Sequence, residues 1–136
     1  MVVVLIIAIL IAIAIPTFLG ARTRAQDRAA QASLRNALVA AKSIYTDTQS
    51  YATAESTGLA TVEPSLTYKV KGTASTGQND VSADGTTTNS NIWSAAALSA
   101  SGTCFWIKDD VSSGTTYGTG ATCTGTAARA AANPKW

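Results

Sequence analysis

The chain has 136 residues, 46% hydrophobic and 13% charged, with ten basic and eight acidic side chains and a net charge of +2. It contains no histidine and two cysteines, which removes the most common general base and metal ligand and excludes a four-thiolate zinc site. The small, scattered charge leaves nucleic-acid binding possible but without support from composition.

The apolar residues are concentrated at one end. Residues 1–21, MVVVLIIAILIAIAIPTFLGA, carry no charged side chain, and as a helix rising about 1.5 Å per residue they span about 30 Å, the thickness of a bilayer's hydrocarbon core. Val2, Val3, Val4 and the isoleucines from Ile6 to Ile15 are β-branched, but in lipid only a structure that satisfies its own backbone hydrogen bonds persists, so a helix is predicted. Pro16 cannot donate to the carbonyl of Ala12, and Gly20 follows four residues later. The sequence therefore predicts a kink or a locally melted turn within residues 8–16.

The helix continues with a different character. Ala30, Leu34, Ala37, Leu38, Ala41, Ile44 and Tyr45 recur at three- and four-residue spacing, with Arg22, Arg24, Asp27, Arg28, Arg35 and Lys42 between them,. No proline or glycine interrupts residues 22–56. One helix of about 45 residues, roughly 65–70 Å long, is expected, its first half in lipid and its second half packed on a domain. The organisation is then an apolar half at 1–21, an amphipathic half at 22–46 and a globular head at 47–136.

Beyond the helix, residues 46–64 read as a polar connection. LTYKVKG alternates as a strand with Leu66, Tyr68 and Val70 on one face and Thr67, Lys69 and Lys71 on the other,. The Gly-, Asn- and Asp-rich stretch after it suits turns, with a short extended piece around Val81. NIWSAAALSASG and TCFWIKDD flank a turn at Ser101 and Gly102 and predict a hairpin whose Ile92, Trp93, Leu98, Phe105, Trp106 and Ile107 supply much of the core. A Gly/Ser/Thr loop is expected from Val111 to Cys123, followed by a tail of short strand or irregular chain. The fold class is α+β: one long helix on a small antiparallel sheet.

Arg22, Arg24 and Arg28 would by the positive-inside rule hold the head in the cytoplasm. Cys104 and Cys123 argue the opposite: they lie in a Ser/Thr/Gly-rich region without metal or catalytic partners, which favours an exported domain with one disulfide. Both observations agree if a charged leader precedes Met1 and is removed.

The apolar stretch ending in Ala14, Ile15 and Pro16 and followed by the aromatic Phe18 resembles the amino-terminal segment of type IV pilins and their secretion-system relatives. The resemblance covers residues 1–45; beyond Tyr45 it extends only to layout. It implies that Met1 corresponds to the seventh residue of a mature pilin, behind a methylated phenylalanine and a glutamate, and that Ala8 stands where the family often has glycine. It further implies a kinked segment at Ala12, Pro16 and Gly20. Filament-core packing would fall to Val4, Leu5, Ile6, Ile9, Leu10, Ile13, Ile15 and Phe18. Leu34, Leu38, Ala41, Tyr45, Trp93 and Phe105 would pack the head on the helix. The implied function is that of a structural subunit polymerising into an extracellular pilus for adhesion, motility or DNA uptake. Its partners would be copies of itself, the cytoplasmic membrane before assembly, the inner-membrane assembly machinery and a prepilin peptidase. A type II secretion pseudopilin and a membrane-anchored binding module are the alternatives.

No catalytic residue, cofactor or metal is expected. Asp109 and Asp110 are adjacent, so on a strand they face opposite ways and are poorly placed as an acid/base pair; they read as solvated strand-end residues. Asn79, Asp80 and Asp84 match no EF-hand loop. Serine without histidine cannot form a Ser-His-Asp triad, and no glycine-rich phosphate loop is present. Arg22, Arg24, Arg28 and Arg35 suit anionic lipid or DNA, but neutralisation within an assembled helix bundle is the preferred reading.

Overall fold

The computed structural model of the chain describes residues 1–86, 90–131 and 136, with the backbone alone at Pro16. A single helix, α1 (Val2–Thr48), runs unbroken across Ala12, Pro16 and Gly20. A melted turn within 8–16 is thus not a property of the isolated chain, and the side chain of Pro16 lies outside the described residues. α1 ends where Gln49 takes a left-handed conformation (φ 55°) and donates its N–H to Tyr45 O at 2.7 Å, a C-terminal cap that satisfies one of the orphan carbonyls.

Three departures from the sequence reading follow in the head. The supposed polar connection contains a short helix, α2 (Ser56–Val62), which buries Leu59. The sheet, in spatial order β1 (Thr67–Val70), β2 (Asp80–Asp84), β3 (Ile92–Leu98), β4 (Cys104–Asp110) and β5 (Gly114–Gly120), is mixed rather than antiparallel. β1 pairs parallel with β2, Thr67 opposite Asp80 and Val70 opposite Ala83, while the other pairs are antiparallel. Loop 71–79 carries the chain back to the start of β2 because Ser75 pins it: its N–H donates to Cys123 O, its hydroxyl to Asp80 O, and it accepts from the Leu98 N–H. β1 is an edge strand, so Val70 is exposed although Leu66 is buried.

The third departure lies after Val111. Where a loop was expected, β5 pairs with the whole of β4, from Asp110 opposite Gly114 to Cys104 opposite Gly120. The tail then forms α3 (Gly125–Ala130), capped by the Thr124 hydroxyl, which accepts from the Ala127 N–H at 3.1 Å. Gly125 is required there: a Cβ would lie 2.8 Å from the Ala83 carbonyl carbon and the Asp84 nitrogen, and the Gly125 N–H donates to Ser82 Oγ while its carbonyl accepts from Ser94 Oγ. Residues 132–135 of the tail lie outside the described residues.

With α1 on one face and α3 on the other, the central strands are buried on both sides. Val81, Ala83, Ala95, Ala97, Phe105 and Ile107 pack toward α1, where Ala30, Leu34, Ala37 and Ala41 are fully buried. Ala96, Cys104 and Trp106 form the opposite cluster with Cys123 and Ala128. Alanine on both α1 and β3 allows the close approach of helix to sheet. The predicted hairpin is present, but Ile92 and Leu98, at the two ends of β3, are only partly buried. The disulfide joins Cys104 of β4 to Cys123 just before α3, with the Cα atoms 5.5 Å apart.

Candidate assembly surface

Among the described residues the apolar half of α1 has no counterpart in its own chain. Val4, Leu5, Ile6, Ile9, Leu10, Ile13, Ile15 and Phe18 are all exposed. An 18-residue window of the helix has a mean hydropathy of 3.2 with none of it buried, so α1 is long and apolar enough to cross a membrane. The two threonines near this segment do not interrupt it: Thr17 Oγ1 donates to Ile13 O and Thr23 Oγ1 to Leu19 O, each at 3.0 Å. Such back-bonding satisfies each hydroxyl within the helix itself.

The same helix is anchored from Asp27 onward. Asp27 accepts hydrogen bonds from Ser101 and, at 2.7 Å, from Ser99 in the β3–β4 turn. Leu34, Leu38 and Ala41 lie in the core with Trp93 and Phe105, and Tyr45 packs against that core while half-buried. The Trp93 indole N–H is satisfied by Ala54 O at 3.0 Å. Four residues predicted from spacing and two aromatics of the hairpin thus meet in one cluster.

Asp109 departs from its sequence reading. It is buried, not solvated, because its side of β4 faces α1 and the residues that follow it. It accepts hydrogen bonds from Tyr51 Oη at 2.6 Å and Thr115 Oγ1 at 2.5 Å, and pairs with Lys42 Nζ at 3.1 Å. Burial alone would raise its pKa, but the bonds from Thr115, Tyr51 and Lys42 and the lysine charge together outweigh burial and hold the carboxyl below its ordinary value,. Burial and the bond to Asp109 push the Tyr51 phenol well above its usual range. Nothing in the local sequence marks this cluster: its members come from α1, the segment after it, β4 and β5. Asp110, pointing the other way, bonds instead to the N–H and hydroxyl of Ser112.

Asp80 and Asp84 have partners as well. Asp80 pairs with Lys69 at 3.3 Å, and Asp84, its side chain almost fully buried, with Arg129 of α3 at 3.0 Å. Asp80 also accepts from Thr76, and Asn79 from Ser33 of α1. No group of three or more His, Cys, Asp or Glu suited to a metal occurs among the described residues. Arg35 separates from the other arginines, its guanidinium lying 4.8 Å from the ring centre of Trp136, a cation–π contact. Arg22, Arg24 and Arg28 are exposed and make no salt bridge among the described residues.

The chain therefore presents a bare apolar rod continuous with a helix packed into a folded head. No family model, curated protein or solved structure matches the chain.

Proposed function

We propose that this chain is a structural, non-catalytic subunit that polymerises through α1 into a filament of the type IV pilus kind at the cell surface. The observation that carries the reading is the division of one unbroken 47-residue helix into an apolar half exposed at every described side chain and a half buried against the sheet. In the bilayer the apolar half faces lipid. On assembly it leaves lipid for the same segment of neighbouring copies, and burial on all sides then excludes it from water outside the membrane. At about 25 cal/mol per Å² the gain relative to water is on the order of tens of kcal/mol per subunit before entropy is subtracted. The head, closed by its disulfide and by α3, folds independently of that transfer and coats the filament.

The pilin-like run through Ala14, Ile15, Pro16 and Phe18 supports the same reading. So does the pairing of the two cysteines, which suits an oxidising exterior,. An anchored binding module would use α1 only to reach the membrane. Substituting Ile9→Asn separates the two: membrane insertion tolerates one polar residue in so apolar a segment, whereas packing among many helices does not. Filaments lost with the chain still in the membrane support polymerisation. Filaments formed at wild-type yield contradict it.

A further inference from the structure

A second, smaller apolar feature lies on the head. Val39 and Val62 are two of the four large apolar side chains exposed beyond Leu19 among the described residues. With Asn36, Ala40, Ser43 and Glu63 they line a groove of about 260 Å³ between α1 and α2. Glu63 marks its rim. The only hydrogen bonds it accepts among the described residues, both from Ser65, fall on one oxygen, Oε1, and no Lys or Arg side chain lies within salt-bridge distance of it there. The groove thus combines an apolar wall with an uncompensated carboxylate.

The complementary pair is on α1. Phe18, 71% exposed, and Arg22 are four residues apart and so share one helix face, a turn from one another. They cannot reach the groove of their own chain, because both sit on the same rigid helix about twenty residues, roughly 30 Å, from the level of Val39. We propose that the α1–α2 groove receives a second copy of this chain, with Phe18 of the neighbouring copy packed against Val39 and Val62 and its Arg22 paired with Glu63. This rests on the filament reading and names a contact within it.

Two physical consequences agree with the pairing. The contact joins two different surfaces at an axial offset of roughly 30 Å, so it is head-to-tail and repeats without closing, as a filament requires. It also supplies a counter-charge that α1 lacks at the level of Arg22. α1 holds five of the ten basic side chains but two of the eight acids; Asp27 is engaged by Ser99 and Ser101, and Asp47 lies at the far end of the helix from Arg22. Bringing such helices together crowds positive charge at the level of Arg22 to Arg28 unless carboxylates of neighbouring heads meet it.

The test is a charge exchange in the full chain, expressed in cells that assemble it, with sheared filament measured against membrane-bound chain. Arg22→Glu and Glu63→Arg each lower filament yield about tenfold, the factor expected for loss of one favourable contact and its replacement by repulsion, and the double variant recovers most of it. Single variants at wild-type yield, or a double variant no better than the singles, overturn the contact. Unchanged thermal unfolding of each variant shows that the head still folds. As a second measurement, Phe18→Cys with Val39→Cys gives a ladder of disulfide-linked multimers in oxidised filaments, and neither substitution alone does so; filaments without the ladder also overturn the contact. A wild-type chain that forms no filament removes the filament reading and this contact with it, whereas filaments indifferent to the exchange remove the contact alone.

Discussion

The Tyr51 hydroxyl donates a 2.6 Å hydrogen bond to Asp109 Oδ2, tying the segment after α1 to the end of β4 across 58 residues of sequence. Both side chains are buried. Because Lys42 and Thr115 bind the other carboxylate oxygen, this one acid joins α1, the segment after it, β4 and β5 near the C-terminal end of the long helix.

Removing the phenol hydroxyl while keeping the ring isolates that bond. Tyr51→Phe is expected to lower the unfolding free energy by about 2 kcal/mol, the range for a buried hydrogen bond to a charged group. Lys42→Ala costs less, since the lysine is half exposed and such pairs contribute up to about 1 kcal/mol. Denaturant unfolding of the full chain in detergent measures both; equal losses contradict the ranking.

The same carboxylate sets an acid limit on stability. Asp109 is held below its ordinary pKa, and so is Asp110, mainly by its bonds from Ser112. A depressed carboxylate stabilises the fold above the unfolded-state value of about 3.9, and that contribution is lost as pH falls through the folded-state value. The unfolding temperature is therefore flat from about pH 7 to pH 5 and falls below about pH 4. Asp109→Asn is less stable at neutral pH and shows a shallower acid fall. An unchanged acid slope in that variant contradicts the assignment.

How far the sequence carries depends on whether a signal is local. α1 was legible because apolar and amphipathic periodicity both persist without a breaker, and the β3–β4 hairpin because bulky apolar runs flank Ser101 and Gly102. α3 was missed although Thr124 and the Ala-rich run after it are a cap and a helix former, since Gly125 at its first position reads as a turn until its closeness to β2 is seen,. β5 was missed because GTTYGTG lacks apolar alternation; its pairing with β4 supplies the order. The parallel β1–β2 pair depends on Ser75 contacts to Cys123 and Leu98, and the burial of Asp109 on three separate elements. Such long-range determinants leave no pattern in a single segment.

Cys104 and Cys123, 19 apart in sequence, close a loop that contains the whole of β5. In the chain-entropy account a loop of this length stabilises by about 3 kcal/mol, so reduction is expected to lower the unfolding temperature by roughly 15 °C for a head of this size. Protease cleavage should then appear first between residues 111 and 131, with α1 unaffected. A reduced chain that unfolds at the oxidised temperature contradicts this role for the bridge.

The central claim is that the exposed apolar half of α1 is destined for copies of itself. Negative-stain imaging of sheared cell-surface material, labelled with an antibody against the head, tests it most directly. The account predicts thin filaments decorated along their whole length. Recovery of the chain only as a membrane-bound monomer, with no labelled filaments, would contradict it.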